Sequence, residues 1–216
     1  MKNVILITLL TSIFISCSIS DDEWKKLGSK LEAIKKEDQR YRSKMDSVGK
    51  VEGWQSKTVE NLWEKQRILD SANLKQLDEL IDKFGYPPKV KVGDLSYVPF
   101  QVLQHSDDST MATYFDLIVG AGKNGDLPMR EVAQFQDRVL VARKQPQDYG
   151  TQISIEFKQN PKTGAQYDSM YLWEVRDIKN VNTRRISVGL DSLEIQLRRY
   201  GIDPLKRYLI RGTPPQ

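Results

Sequence analysis

The sequence predicts a helix-rich α+β fold, in which a long N-terminal helical hairpin and further helices are followed by a small antiparallel β-hairpin near the C-terminal end. Apolar residues recur at spacings of three and four over most of residues 24–142, which is the period of an amphipathic helix. After Gly150 the spacing becomes two, as in a half-buried strand. The 216 residues include 39% hydrophobic and 9% aromatic residues, enough for one packed domain.

Two long helices are predicted first. One covers residues 24–48, and the other begins near Ser56 and ends at Phe84, where Gly85 supplies a stop signal. Because the connection between them is short, we expect an antiparallel hairpin. Their apolar stripes consist of Trp24, Leu27, Leu31, Ile34, Tyr41, Met45 and Val48, and of Val59, Leu62, Leu69, Leu77, Leu80 and Phe84.

Shorter elements are predicted in the second half of the chain. Pro128 suits the first turn of a helix. The turn signal at 160–164 lies between two segments of strand character and therefore predicts a β-hairpin. In order, the predictions are a loop at 86–97, helical regions at 98–119 and 128–142, strands around 153–158 and 170–175, and a last helix at 187–200.

The N-terminal segment predicts export. Lys2 precedes an apolar run over residues 4–15, which is shorter than the roughly 20 residues that span a bilayer and is typical of a secretory signal. The run leads into Cys17, the only cysteine, and resembles the lipobox of bacterial lipoproteins, with Phe14 where leucine is usual. The resemblance implies a signal peptide at 1–16 and a Cys17 that carries diacylglycerol and palmitate. A plain signal peptide and an uncleaved anchor stay open as alternatives.

Residues 17–22 are then expected to form a tether, and residues 23–216 a single globular domain held at the membrane by the N-terminal lipid. The acidic run 20–23 resembles the tracts that send some Gram-negative lipoproteins to the cell surface. Acidic residues before a helix also fit ordinary helix-dipole chemistry. The expected location is the outer membrane of a Gram-negative-type bacterium, at its periplasmic face or at the cell surface.

Composition excludes several classes of site. With Cys17 lipidated, no thiol is left for a disulfide, a cysteine nucleophile or a zinc–thiolate site. His105 is the only histidine, so no metal site with two histidines can form, and no metal or cofactor is expected. The formal net charge of +4, from 33 basic and 29 acidic residues, gives no sign of nucleic-acid binding.

Several polar residues interrupt the apolar stripes. Asp38 lies on the first stripe, Gln66 and Asn73 lie on the second, and Asp107 lies at helical spacing within the third region. A buried polar group costs about 1–3 kcal/mol unless it is paired. Two interpretations remain open: a satisfied network that fixes the register of the helices, or a ligand site between them.

Short motifs recur in a characteristic order over residues 30–200. The most specific are Gln104-His105-Ser106-Asp107 and Tyr149-Gly150-Thr151-Gln152, and the others are Glu37 to Arg42, Asp70 to Asn73, Phe84 to Pro87, Asp137 to Val141, Gln147-Asp148 and Arg184-Arg185. This order resembles an uncharacterised bacterial family, a domain of unknown function, although Tyr86 stands where that family more often has tryptophan. The family has no established activity, so the resemblance implies a shared domain and candidate positions but no reaction.

His105 and Arg138 are the candidates for chemistry. Any histidine-based proton transfer must use His105, whereas a lone histidine is more often a structural hydrogen-bonder. On a helix His105 faces Asp108 and not Asp107. Arg138 lies beside the buried face and can donate two hydrogen bonds to a carboxylate or phosphate. Its alternative role is an internal ion pair with Asp38 or Asp107.

The leading expectation is an inter-helix site that binds a small polar or anionic ligand, or an envelope protein partner. Its candidate residues are Asp38, Gln39, Asn73, Gln104, His105, Asp107, Arg138, Gln147, Tyr149 and Gln152. The runner-up is a hydrolase-like enzyme in which His105 is the general base, Asp107 or Asp38 orients it, and Arg138 holds an oxyanion or phosphate. A structural envelope protein without a ligand is the third interpretation.

Overall fold

A computed structural model describes residues 19–164 and 166–202, which form a body of helices with a two-stranded sheet near the C-terminal end. The predicted fold class is confirmed. Cys17 and the predicted signal peptide lie outside the described residues. The helices are α1 (Asp21–Gln39), α2 (Arg42–Glu52), α3 (Lys57–Phe84), α4 (Lys89–Val92), α5 (Val98–Leu103), α6 (Asp108–Thr113), α7 (Phe115–Lys123), α8 (Met129–Ala142), α9 (Val181–Ser187) and α10 (Leu193–Arg199), and the strands are β1 (Ile153–Gln159) and β2 (Gln166–Leu172).

Helix α1 begins at a capping box. The hydroxyl of Ser20 accepts a hydrogen bond of 3.3 Å from the backbone N–H of Glu23, and the Glu23 carboxylate accepts one of 3.1 Å from the backbone N–H of Ser20. Asp21 and Asp22 complete an acidic first turn, which the helix dipole favours. The acidic run at 20–23 therefore has a structural role.

Helix α3 packs antiparallel against α1 and α2, as predicted. The contacts run in opposite directions along the two partners: Lys83 Nζ lies 2.8 Å from the carboxylate of Glu23, and Asn73 Nδ2 lies 3.4 Å from the carbonyl oxygen of Ile34. Arg42 of α2 contacts Asp70, nearer the start of α3. The hairpin is thus a long scaffold with polar side chains in its seam.

The prediction of one continuous helix over 24–48 is wrong at Arg40 and Tyr41, where α1 ends and α2 begins. The amide of Gln66 bridges this break. Its Nε2 donates to the carbonyl oxygens of Glu37 and Asp38 at 3.3 and 3.0 Å, and its Oε1 accepts the N–H of Tyr41 at 3.0 Å. Backbone groups freed by the break are therefore satisfied by a side chain of the facing helix.

The prediction of a single helical region over 98–119 is also wrong, because the region divides into α5, α6 and α7. Asp107 is the N-cap of α6, where its carboxylate accepts the N–H of Thr110 at 2.8 Å. A capping residue stands outside the helix that it caps, so Asp107 is exposed and does not lie on a buried stripe. The second break lies at Tyr114.

Two further boundaries differ from the predictions. The predicted loop at 86–97 contains α4 and a 3₁₀ turn over Gly93–Tyr97. The predicted last helix over 187–200 is two helices, α9 and α10, with Gly189 between them at a φ of +79°. A left-handed residue at this position ends α9 and cannot continue a right-handed helix.

The antiparallel hairpin of β1 and β2 confirms the change of period after Gly150. Its register pairs Ile153 with Leu172 at one end and Gln159 with Gln166 at the other. Strand β2 ends at Leu172, before the apolar run does, and Val175 forms an isolated parallel bridge with Gln147. The bridge joins the segment after the hairpin to the segment before it.

The described residues contain two apolar clusters. The larger one joins α1, α3, α5, α7 and α8 through residues such as Leu31, Leu77, Leu103 and Phe135. The smaller one consists of Leu172, Val181, Leu193 and Leu197. Within the described residues, none of the helices combines the length and the apolar character needed to cross a membrane.

Candidate functional site

The polar residues in the seam of the hairpin form one network, the hairpin cluster, defined as Asp38, Arg42, Gln66 and Asp70. Arg42 donates two parallel hydrogen bonds to the Asp70 carboxylate, of 2.9 and 2.8 Å, and a third to the carbonyl oxygen of Asp38. Gln66 donates to the same Asp70 carboxylate at 2.8 Å. The cluster therefore joins α1, α2 and α3 at the point where α1 is interrupted.

Asp38 is the most deeply buried acid of this cluster, with 1% of its surface exposed. Burial raises the pKa of its carboxyl, and the nearby charge of Arg42 opposes the rise. Gln39 donates a hydrogen bond of 2.6 Å to Asp38, and Asn73 bonds to the backbone of α1. All three predicted residues of this region are thus occupied with contacts inside the hairpin.

A second network surrounds residues 147–152, here called the anchored loop, which joins α8 to β1. Asp137 of α8 has no exposed surface and accepts the backbone N–H groups of Asp148, Tyr149 and Thr151 at 2.7, 3.0 and 2.9 Å. It also accepts the hydroxyl of Thr151 at 2.9 Å. Burial raises the pKa of Asp137, and these hydrogen bonds act against the rise.

The opposite side of the anchored loop is held by a cation. Arg185 of α9 is 1% exposed and donates to the carbonyl oxygens of Tyr149, Gly150 and Asp191 and to the side chain of Gln196. The loop therefore presents its N–H groups to a carboxylate and its carbonyl groups to a guanidinium. Both charges interact with backbone dipoles, which explains how both can be buried.

Gln147 and Gln152 complete the anchored loop. Gln147 has no exposed surface, and its amide bonds to the backbone of Gln152 and Trp173. Gln152 Nε2 bonds to the hydroxyl of Thr151 at 3.0 Å. Gln147, Tyr149 and Gln152 were all predicted to bind a ligand. Tyr149 takes part in this network through its backbone N–H and carbonyl groups. The residues of the Tyr149-Gly150-Thr151-Gln152 motif therefore hold the connection between α8 and β1 in its folded shape.

Arg138 is in a different situation. Its guanidinium is partly buried and donates to the carbonyl oxygen of Gln104, and among the described residues no carboxylate forms an ion pair with it. Burial lowers the pKa of Arg138. The predicted internal ion pair with Asp38 or Asp107 is not formed. A guanidinium has five N–H donors, so this cation keeps most of its hydrogen-bonding capacity.

His105 lies close to Arg138 and to the hairpin cluster. It keeps part of its surface in solvent, yet the packed atoms around its imidazole lower its pKa to about 4, with Arg42 and Arg138 adding to the effect and Asp70 opposing it. The imidazole is therefore neutral at neutral pH.

The structure does not bring a carboxylate into hydrogen-bond contact with His105 among the described residues. Asp107 is occupied as the cap of α6, and Asp38 bonds to Gln39. A histidine that acts as a general base in a triad needs such an orienting partner. The described residues therefore do not supply the orienting carboxylate that the hydrolase interpretation requires.

A polar cavity of about 260 Å³ lies between α8, the anchored loop and the helices α9 and α10. Its lining includes Gln134, Thr151, Arg185, Asp191, Arg199 and Tyr200. Arg138 lies one helical turn beyond Gln134, and Tyr200 is close enough to act against the lowering of the Arg138 pKa. None of the ten predicted ligand-binding residues lines this cavity. Asp107 caps α6, and the other nine are divided between the two networks and the surroundings of Arg138.

Sequence reasoning missed Asp137, Arg185 and Gln196 as organising residues. Helix α8 is buried on more than one side, and its buried residues include Glu131, Val132, Ala133, Phe135, Asp137 and Val139. A single-stripe pattern cannot show a helix that is covered on two sides. Asp137 belongs to the Asp137 to Val141 motif, and that motif was the one indication that it is important.

Polar satisfaction inside the described part of the molecule is complete. No buried side-chain nitrogen or oxygen in these residues lacks a hydrogen-bond partner. No group of three or more histidine, cysteine, aspartate or glutamate residues there is arranged to hold a metal ion. Hydrogen-bond donors without a protein partner are therefore found only on side chains that are at least partly exposed among the described residues. Arg138, with the carbonyl oxygen of Gln104 as its single acceptor there, is the clearest example.

Comparison with known proteins gives a family and no activity. Neither the curated proteins nor the solved structures include a match to this chain. Residues 25–203 match the model of a family of unknown function, DUF6624, which spans both networks and Arg138. The chain therefore belongs to this family of unknown function.

Proposed function

We propose that this protein is a lipoprotein of the outer membrane, anchored through Cys17, whose domain binds a small anionic ligand at Arg138. The observation that carries the binding proposal is a partly buried guanidinium without a carboxylate partner among the described residues. Desolvating a cation is costly unless an opposite charge or oriented dipoles compensate it. A bound anion would supply that compensation.

The neighbouring groups suit an anion of limited size. Arg185 and Arg199 are already engaged, with backbone carbonyls and with Asp191 at 2.6 Å respectively, so Arg138 is the cation with free donors. The adjacent cavity of about 260 Å³ admits an inorganic oxyanion or a short carboxylic acid. Gln134 and Tyr200 supply neutral hydrogen-bonding groups beside it.

Binding is proposed in preference to hydrolysis because of the contacts around His105. A hydrolase would need His105 oriented by a carboxylate, and its two candidates, Asp107 and Asp38, are bonded elsewhere. A neutral imidazole near two arginines can instead donate its one N–H to a bound anion.

The test uses the full chain with its own N-terminus, purified in a mild detergent. Orthophosphate, sulfate and succinate are titrated by calorimetry, and thermal unfolding is followed in parallel. We expect at least one of them to bind, and Arg138→Gln to weaken its binding about tenfold or more, equal to about 1.4 kcal/mol. Arg198→Gln is the matched control, because it removes the same charge from an exposed arginine of α10, whereas Arg138 is partly buried.

Two results would overturn the binding proposal: no heat or stabilisation with any of the three anions, or equal weakening by Arg138→Gln and Arg198→Gln. The anchor is tested separately by mass spectrometry of the N-terminal peptide. A mature chain that begins at an acylated Cys17 supports the lipoprotein assignment, and an intact unmodified N-terminus contradicts it.

A further inference from the structure

A second cavity, of about 320 Å³, is lined by residues of α1, α4, α5 and the segments next to them. Its wall is built from α1, the turn over Gly93–Tyr97, the start of α5 and the segment before α8. Its size is in the range of small-molecule sites. None of the ten predicted ligand-binding residues lines it, so it is independent of the site proposed above.

The rim of this cavity carries both signs of charge. Lys35 and Lys89 supply two ammonium groups, and Asp94 and Asp126 supply two carboxylates. In the described part of the chain, none of these four side chains takes part in an ion pair, although they share one cavity. Asp126 is held in place by the backbone N–H of Lys89, at 2.8 Å.

Tyr97 and Gln101 add uncharged hydrogen-bonding groups to the lining. The ring of Tyr97 packs against Phe100, with centroids 5.2 Å apart, and burial raises the pKa of its phenol, which therefore stays protonated. The carbonyl of the preceding residue, Ser96, accepts the hydroxyl of Tyr86 at 2.7 Å, which fixes the turn. Gln101 lines the cavity and lies close enough to Asp38 to act against the rise in the pKa of that carboxyl.

From this arrangement we propose that the second cavity binds a small zwitterion of the free amino-acid class. Its carboxylate would lie against the lysines, and its ammonium against Asp94 and Asp126. Opposite charges that face a common cavity without pairing leave a gap that a ligand with both charges can bridge. A ligand with one charge would satisfy one side and leave the other unpaired, so it should bind less well.

The experiment titrates the common L-amino acids, at millimolar concentration, into the full chain in detergent. The tightest binder is then compared with the amine and the carboxylic acid that each lack one of its charges. We expect the zwitterion to bind about tenfold or more tightly than either analogue. Backbone N–H signals of residues 94–98, 100 and 101 should shift on binding in a ¹H–¹⁵N spectrum.

Variants separate this site from the first one. Lys89→Gln and Asp94→Asn are exposed substitutions that should each weaken amino-acid binding about tenfold, while the unliganded melting temperature stays unchanged. Lys36→Gln and Asp78→Asn, exposed residues outside the cavity, are the controls. Arg138→Gln should leave amino-acid binding intact, whatever the outcome for anions.

The inference is overturned if no amino acid binds, or if a single-charge analogue binds equally well. It is also overturned if Arg138→Gln abolishes amino-acid binding while Lys89→Gln and Asp94→Asn do not, because the binding would then belong to the first site. Failure of anion binding at Arg138 leaves the second cavity unaffected, so the two proposals fail separately.

Discussion

Arg42 and Asp70 are joined by two parallel N–H···O bonds across the seam of the helical hairpin. Their side chains are only 13% and 20% exposed, and the same Asp70 oxygen that accepts from Arg42 also accepts from Gln66. This contact stands beside the break between α1 and α2. It therefore holds the two pieces of the interrupted helix against α3.

We expect Asp70→Asn to lower the free energy of unfolding by about 1–3 kcal/mol, because it removes the carboxylate that binds both nitrogens of the partly buried Arg42 guanidinium and leaves only Asp38, 3.5 Å away, as a counter-charge among the described residues. The measurement is urea unfolding followed by circular dichroism. Asp46→Asn is the control: it removes an exposed 2.7 Å pair with Lys50 and should cost about 0.5 kcal/mol or less. Equal costs for the two variants would show that the hairpin cluster adds no stability.

Asp137→Asn should be more damaging, with a loss of about 2–4 kcal/mol in the free energy of unfolding. An amide places an NH₂ donor against N–H groups that now donate to a carboxylate, so buried donors lose their acceptor. Asp78→Asn, an exposed change on α3, should be neutral. The free energies of unfolding of the two variants are compared by chemical denaturation. An Asp137→Asn protein as stable as the Asp78→Asn protein would show that the anchored loop does not stabilise the fold.

The protonation of His105 can be followed directly, since its imidazole gives the only histidine signals in a proton spectrum. Its midpoint should lie near pH 4 in the folded protein and near 6.5 in urea. The unfolded chain therefore binds more protons between these values. The contribution of His105 to stability is complete above about pH 6.5 and declines as the pH falls toward 4.

The same titration tests the charge environment. Arg138→Gln removes one of the cations that oppose protonation, so the His105 midpoint should rise. A bound anion next to Arg138 should raise it in the same way. A midpoint near 6.5 in the folded wild-type protein would contradict the environment described for this histidine.

Gly150→Ala tests the close packing of the anchored loop. Gly150 has a φ of +69°, and a methyl group there would lie 3.1 Å from Leu193 Cδ1 and 3.3 Å from Val175 Cγ2. We expect a loss of about 1–3 kcal/mol in unfolding free energy. Gly189→Ala has a similar φ of +79° but open space around it, so it should cost about 1 kcal/mol. The difference measures the crowding alone.

Features with local signals could be predicted from the sequence. The ends of α3 follow from Ser56, which caps its first turn, and from Gly85, and the β-hairpin follows from a change of period around a turn. The breaks at Tyr41 and Asp107 could not be predicted. The break at Tyr41 depends on Gln66 of another helix, and the break at Asp107 depends on a capping role that its helical spacing did not indicate. Tertiary contacts decided both.

The candidate site shows the same division. The motif that contains Asp137 and Arg138 pointed to helix α8, but the two adjacent residues have different surroundings. Asp137 is fully buried in a hydrogen-bond network, whereas Arg138 is partly exposed. Arg185 lay in a recognised pair of arginines, yet its acceptors are mostly backbone oxygens. Such partners carry no side-chain signature, so the sequence pattern could not identify them.

The environment of Arg185 has a consequence for how the protein unfolds and is degraded. Its acceptors come from the anchored loop, from Asp191 and from Gln196 of α10, so the last described helix closes one wall around a fully enclosed cation. Damage that removes or unfolds α10 would hydrate Arg185, uncover Leu193 and Leu197, and release the loop that α8 holds from the other side. Proteolytic cleavage within this one short helix would therefore expose the anchored loop and the smaller apolar cluster as well as α10 itself.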